Sequence, residues 1–535
     1  MTEKKSPALF CRRAFQIILA AFSLGIFLLA VFSFAIPLFF AFIQRGNGGS
    51  SLQTSALLKI ATFTLVQAFC STALAVALGI PAAAFVTHRD FPLKRALLAS
   101  AAVPLCIPPL IVALGYVGFF GMNGVVNRAF SAIIGTDKKI SGFLYSFWGI
   151  VIAQGFYNFP LVMLSVSDSW ASLSSAQSDA AKMLGAGRIR IFFSITIFQL
   201  LSAIVSAIIP VFLYCFFSFL IVMLFGGIGT TTLEVELYQV ARNSLDFSAA
   251  SKIALLETAL ALSVIALYSA IEIKQKTTAK KTEAGNAPKR RKIKGAEKII
   301  AFFFFLLILI FFVSPLLCIV FSAFPNGSLS AIKKIASKKG FFTAAIQTVK
   351  TGALTSVFSV ATALLCATFL RLKRHENLFL KALPMLPMAV SSVVMGFGMT
   401  AAVRTGTPFA LVASQTALTW PLAFRQIWAG FSKISNETID AAILLSPHKI
   451  DAVFSVLLPE SRRSIISSLA LCFAVSAGDT TLPLVLAIPS FDTLSLFTYR
   501  LAGSYRFSEA CASALILGAW CSILFAFANK MKETK

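Results

Sequence analysis

Charge is what this chain of 535 residues is shortest of. Only 13% of it is charged, and 21 acidic residues face 47 basic ones. A soluble domain is about a quarter charged, so an ordinary soluble globule is excluded. Histidine occurs three times, at His88, His375 and His448, each in or beside a basic loop. No nucleophile–histidine–acid set can be assembled from them, so no catalytic residue is assigned. The nine cysteines, from Cys11 to Cys521, have no paired spacing, which argues against a disulfide framework or a metal site. No Gly-x-x-x-x-Gly-Lys-Ser/Thr loop is present to cradle nucleotide phosphates. Gly185-Ala186-Gly187-Arg188 is too short to be one.

What fills the chain is apolar. Hydrophobic residues make up 58%, with 53 Phe. Several runs exceed the ~20 residues that cross a bilayer core. Long unbroken runs fit helices and not the alternation of a barrel strand. The expected fold class is therefore an all-α polytopic membrane protein. The run at 15–43 is longer than the ~7–15 apolar residues of a signal peptide, so it reads as a retained helix. Further spans fall near 57–86, 96–120, 147–166, 195–225, 250–271, 299–324, 341–369, 380–402, 409–428, 465–488 and 510–529. That is about twelve transmembrane helices, six in each half. Pro104, Pro108 and Pro109 in the third span fit either a kink or a broken helix. The segment 121–145 reads as a polar outer loop.

The excess of positive charge lies in short loops beside the spans. This is the positive-inside pattern, and it makes membrane lipids the partner in place of nucleic acid. Lys4, Lys5, Arg12 and Arg13 put the N-terminus in the cytoplasm; Lys530, Lys532 and Lys535 do the same for the C-terminus. Lys333, Lys334, Lys338 and Lys339 fall on the outer side and depart from the rule. Residues 273–298 are basic and poor in apolar side chains, which reads as a solvated cytoplasmic linker. It separates a first repeat, 1–272, from a second, 299–535.

The halves are copies. Asp179-Ala180-Ala181 recurs as Asp440-Ala441-Ala442, 261 positions on. The same offset relates Gln154 to Gln415, Pro160 to Pro421, Ser218 to Asp479, Thr232 to Thr493 and Tyr238 to Tyr499. A constant offset over so much chain marks an internal duplication. Six spans per half make the repeats parallel, so both Asp-Ala-Ala stretches lie on the cytoplasmic face. Each is a short amphipathic segment whose alanines leave a dent for a partner.

These stretches resemble the coupling loop of membrane subunits of bacterial ATP-binding-cassette importers, Glu-Ala-Ala-x3-Gly-x9-Ile-x-Leu-Pro. The first copy has Asp179, Ala180, Ala181, Gly185, Ile195 and Ile197, with Phe198 in place of the proline. The second has Asp440, Ala441, Ala442, Ser446 for the glycine, Val456, Leu458 and Pro459. Two such units fused in one chain resemble the thiamine and ferric iron branch. Gly226-Gly227 with Thr231-Thr232-Leu233-Glu234 and Tyr238 fits that branch, as do Ala477-Gly478-Asp479, Thr493-Leu494 and Tyr499. Gly503-Ser504-Tyr505-Arg506 looks most like the thiamine permease.

The resemblance implies the type I ABC importer permease fold in the bacterial inner membrane. It implies two copies of an ABC ATPase subunit that use ATP and Mg, with no cofactor or metal in this chain. A periplasmic or lipid-anchored substrate-binding protein would deliver thiamine or its phosphate esters. Asp179, Ala180, Ala181, Gly185, Asp440, Ala441, Ala442, Ser446 and Pro459 are then the ATPase-coupling residues.

Charged groups within spans mark pathways by default. Ser218, Asp479, Glu257, Tyr238 and Tyr499 are the candidate substrate-pathway residues. Asp479 fits a helix cap equally well, and Glu257 fits an ion pair. Tyr116, Trp148, Tyr157, Tyr214 and Trp420 could line a path for a cationic ring or pack against lipid. Ferric iron is the alternative substrate. A gradient-driven twelve-span transporter is the rival class, and it has no reason to repeat a coupling segment.

Overall fold

A computed structural model describes residues 35, 38–43, 53–91, 94, 97–98, 107–135, 142–173, 176–227, 229–278, 291–292, 295, 297–373, 383–403, 405–445 and 451–533. Most of the first expected span and of the linker, with Pro104, Ser446, His375, His448 and the terminal lysines Lys4, Lys5 and Lys535, lie outside the described residues.

The chain is helical and crosses the membrane many times. In the first sequence half the helices are α1 (Thr54–His88), α2 (Pro109–Phe120), α3 (Val125–Ile134), α4 (Phe147–Ala171), α5 (Ala176–Met183), α6 (Ile197–Phe216), α7 (Leu220–Phe225), α8 (Leu233–Gln239) and α9 (Phe247–Thr278). The second half contributes α10 (Glu297–Ile308), α11 (Ser314–Ala323), α12 (Ser330–Ala336), α13 (Lys339–Lys373), α14 (Ser392–Val403), α15 (Pro408–Phe431), α16 (Asn436–Leu445), α17 (Leu458–Gly478), α18 (Thr481–Leu486), α19 (Leu494–Gly503) and α20 (Phe507–Glu533). Eight segments among the described residues are long and apolar enough to span a bilayer. The expected spans at 409–428 and 465–488 are present as the helices α15 and α17, whereas that at 380–402 is only the twelve-residue α14.

The described residues collect into two compact units. One, here the N-unit, comprises Arg45–Phe341 and Ser495–Ala519; the other, the C-unit, comprises Met1–Gln44, Phe342–Leu494 and Trp520–Lys535. These units cut across the sequence repeats, since α10 to α12 belong to the N-unit. Gly115 of α2 shows how they pack there: a Cβ would lie 2.5 Å from the Pro315 carbonyl oxygen of α11. Only glycine permits that approach.

The longest helices carry their small and polar residues inward. On α1 the buried face includes Ala61, Thr64, Gln67, Ala68, Ser71, Ala75, Gly79 and Ala82, at helical spacing, against α4. Leu58, Val66 and Phe69 point outward. This polarity is reversed from that of a soluble helix, because lipid is as apolar as leucine and small side chains let backbones close up. In the C-unit α13 repeats the plan, with Thr348, Thr355, Ser359 and Ala363 buried and Phe342, Leu354 and Phe358 outward. α1 and α13 are each 35 residues long.

The local differences from expectation have local causes. Pro108 and Pro109 start α2 instead of kinking a longer helix, because proline is suited to the first turn. The supposedly polar loop 121–145 contains α3, which exposes Val125, Phe130, Ile133 and Ile134 along one side. α9 runs on to Thr278, and Arg291–Lys292 pairs in parallel with Arg89–Asp90. Arg89 also forms an ion pair with Glu297 at 2.7 Å.

Candidate functional site

The two Asp-Ala-Ala stretches form the short helices α5 and α16. Asp179 lies in the first turn of α5, where the dipole favours a carboxylate, and pairs with Lys182 at 2.7 Å on the exposed surface. Gly185 ends the helix with φ +82°. Its N–H bonds the Lys182 carbonyl and the Ala186 N–H reaches Ala181, both at 3.0 Å, a Schellman motif. This is the physical reason for glycine in the motif. α16 is anchored by Ile439, which is buried in the C-unit core among Phe431, Val453 and Leu457. Asp440 and Ala442 are half-buried and Ala441 is exposed.

Both helices end in a pair of protruding apolar side chains that the sequence reading had not singled out. Met183 and Leu184 are 91% and 88% exposed; Leu444 and Leu445, at the same 261-residue offset, are 85% and 87% exposed. A repeated exposed pair of this kind suits docking into a groove. Each helix is followed by a five-residue π turn, Phe192–Thr196 and Val453–Leu457, which leads into α6 and α17. Pro459 stands in the first turn of α17 and is exposed.

Two buried polar clusters lie within the spans. In the C-unit, Gln415 accepts from the Ser476 hydroxyl at 2.6 Å and from Thr355 at 3.2 Å. Its amide donates to the Ser476 carbonyl at 3.2 Å and to Asp479 Oδ2 at 3.3 Å. Asp479 Oδ1 accepts from the N–H groups of Thr481 and Leu482 at 3.0 and 3.3 Å, so it caps α18. Asp479 is half-buried, and these hydrogen bonds give it the capping role that was one of its two alternatives. In the N-unit, Gln67 donates to Gln154 and to Ser71. Asn158 donates to the Gln154 carbonyl at 3.0 Å. Ser218, the counterpart of Asp479, is buried just before α7.

A matched pair of caps completes the plan. Thr64 Oγ1 accepts from Leu233 N–H at 3.0 Å and Thr348 Oγ1 accepts from Leu494 N–H at 2.7 Å. Each ties a long helix to the start of a short one. Thr64 and Thr348 are 284 positions apart, not 261, and a repeat search that allowed one gap would have found them.

The remaining candidates divide. Tyr499 and Tyr238 lie in the N-unit, Tyr238 against Phe219 with ring centroids 5.2 Å apart. The Tyr499 hydroxyl is held above its ordinary pKa, first by burial and then by Tyr238 nearby. Glu257 is buried in α9. Tyr116 and Tyr157 spend their hydroxyls on the Phe311 and Ile107 carbonyls and line a small apolar hollow with Phe312 and Pro315. Trp420 is core, whereas Trp148 and Tyr214 are exposed.

Residues 75–277 match the family described as "Binding-protein-dependent transport system inner membrane component". The chain is 26% identical over 512 residues to the thiamine transport system permease protein of Brucella abortus (strain 2308), covering 92% of each. It is 24% identical over 490 residues to the protein of that name from Escherichia coli (strain K12), covering 90% of each. Among solved structures it aligns with a bacterial ABC transporter involved in alginate import. There the identity is 16%, the TM-score 0.39, and coverage 44% of this chain and 96% of that chain.

Proposed function

We propose that this chain, a fused two-unit permease of a binding-protein-dependent ABC importer, carries thiamine across the inner membrane. The observation that carries the coupling is the duplicated short helix. α5 and α16 each follow a span, each present an acid, alanines and two protruding apolar residues, and they stand at one offset. The substrate reading is supported by near end-to-end similarity to thiamine permeases at both Brucella abortus and Escherichia coli distances.

In this reading each short helix docks on one ATPase subunit, so two copies bind, and these subunits hold the ATP and Mg. A periplasmic or lipid-anchored binding protein presents substrate on the opposite face. Both chain termini are cytoplasmic. ATP closure draws the docked helices together and tips the permease outward-open; hydrolysis resets it. The chain's own residues do three things: α5 and α16 receive the movement, the half-buried Asp479 and the buried Glu257 put acidic groups in the spans, and the tyrosines Tyr238 and Tyr499 offer aromatic faces to a cationic ring.

The test is uptake of labelled thiamine and labelled ferric iron by cells with and without this gene, and with Asp179→Lys and Asp440→Lys combined. Thiamine uptake is expected to fall to background in both strains while the variant remains inserted. Loss of iron uptake alone would replace the substrate. Normal uptake in a well-expressed double variant would sink the coupling role.

A further inference from the structure

The π turns after α5 and α16 begin 261 positions apart, at Phe192 and Val453. π turns are rare and gather at functional sites; two others occur among the described residues, Val240–Ser244 and Leu309–Val313, and only the pair after α5 and α16 stands at the repeat offset. A proline could account for one of them, since Pro459 follows the second turn and its ring opposes a regular helix there. The first copy has Phe198 at that place and the same turn. What both share is a dipeptide, Phe193-Ser194 and Phe454-Ser455. Each serine donates its hydroxyl to the carbonyl four residues back, Ser194 to Arg190 and Ser455 to Asp451, the latter at 2.6 Å. Back-bonding of this kind bends helices. The two phenylalanines are 61% and 68% exposed, so tight packing around them does not impose the turns.

We infer that Ser194 and Ser455 are positioning residues for energy coupling. Each supports a π turn that sets the rotation of its short helix relative to the span that follows. The inference rests on the docking role given to α5 and α16. One residue advances a helix by about 100°, so loss of the extra residue held in a π turn would turn the chain that enters α6 or α17 by that angle and change the direction from which the short helix is held. A turn of this kind also gives the junction a defined bend, through which a pull on the short helix reaches α6 or α17 as a tilt.

The test uses the whole transporter, this chain with its ATPase and binding protein, in proteoliposomes. Uptake of labelled thiamine and ATP hydrolysis are measured together for Ser194→Ala with Ser455→Ala, and for each change alone. The complex is expected to assemble and hydrolyse ATP, while thiamine carried per ATP falls about fivefold or more. Threonine at both positions keeps the hydroxyl and should restore the ratio. Phe198→Pro should be tolerated, because the preceding turn is already widened as it is before Pro459. An unchanged ratio in the alanine variants, or an equal loss with threonine, would overturn the inference. A failure of the docking reading is distinct: it appears as normal uptake with Asp179→Lys and Asp440→Lys, whatever the serine variants do.

Discussion

Gln154 and Gln415 occupy equivalent places in the two repeats, yet their surroundings differ. Gln415 uses both ends of its amide, on Thr355, Ser476 and Asp479. The Gln154 amide nitrogen, the Gln67 carbonyl oxygen and the Asn158 carbonyl oxygen find no hydrogen-bond partner among the described residues. The Gln415 side chain is used at both ends; the N-unit cluster keeps spare donors and acceptors. A closed network ties helices into one arrangement, while spare capacity lets a cluster take new partners. Both repeats hold the glutamine and use it differently, and the C-unit copy bonds Asp479, which stands at the position of Ser218.

The largest test of this contrast is Gln415→Leu. It takes one donor from a half-buried carboxylate, and a hydrogen bond to a charged group is worth about 1.5–3 kcal/mol. Unfolding of the purified chain in detergent should register that loss. Gln154→Leu should cost less, about 1–2 kcal/mol, because its amide is only partly satisfied already. Equal losses would erase the distinction. Asp479→Ser imports the other half's residue and still offers an oxygen to cap α18. Stability should change by about 1 kcal/mol, while thiamine uptake drops strongly. Unchanged uptake would leave Asp479 as a cap alone. Thr64→Ala and Thr348→Ala should each cost about 1 kcal/mol, and by similar amounts, since both remove one cap of the same kind. The smallest effect belongs to Lys182→Ala, whose exposed ion pair with Asp179 contributes about 0–1 kcal/mol.

Much of the candidate site was legible in the residues because it is local. Asp179-Ala180-Ala181 and Asp440-Ala441-Ala442 form short helices that the residues of the segment itself can build. Gly185 could be read as a helix terminator for the same reason. The caps Thr64 and Thr348 escaped notice because the first repeat holds extra chain between α1 and α4, including α3, which breaks the 261-residue register. α3 itself was missed because its apolar side is short and interrupted by Asn127 and Arg128. The π turns escaped because no residue type announces them; Phe-Ser reads as ordinary helix until the backbone is seen.

Hydropathy and offset are properties that add up along a chain. They were enough to determine, without coordinates, that this protein is helical, lies in a membrane, is built from two copies of one unit, and displays the same short segment twice. Tertiary structure decided which buried polar groups meet. Gln67 reaches Gln154 across 87 residues, and Gln415 reaches Asp479 across 64. Such meetings depend on how each helix is rotated about its axis. That rotation is settled by close approaches such as Gly79 against Val162, where a Cβ would lie 2.6 Å from the valine, and by the π turns that reset the register at the start of α6 and α17.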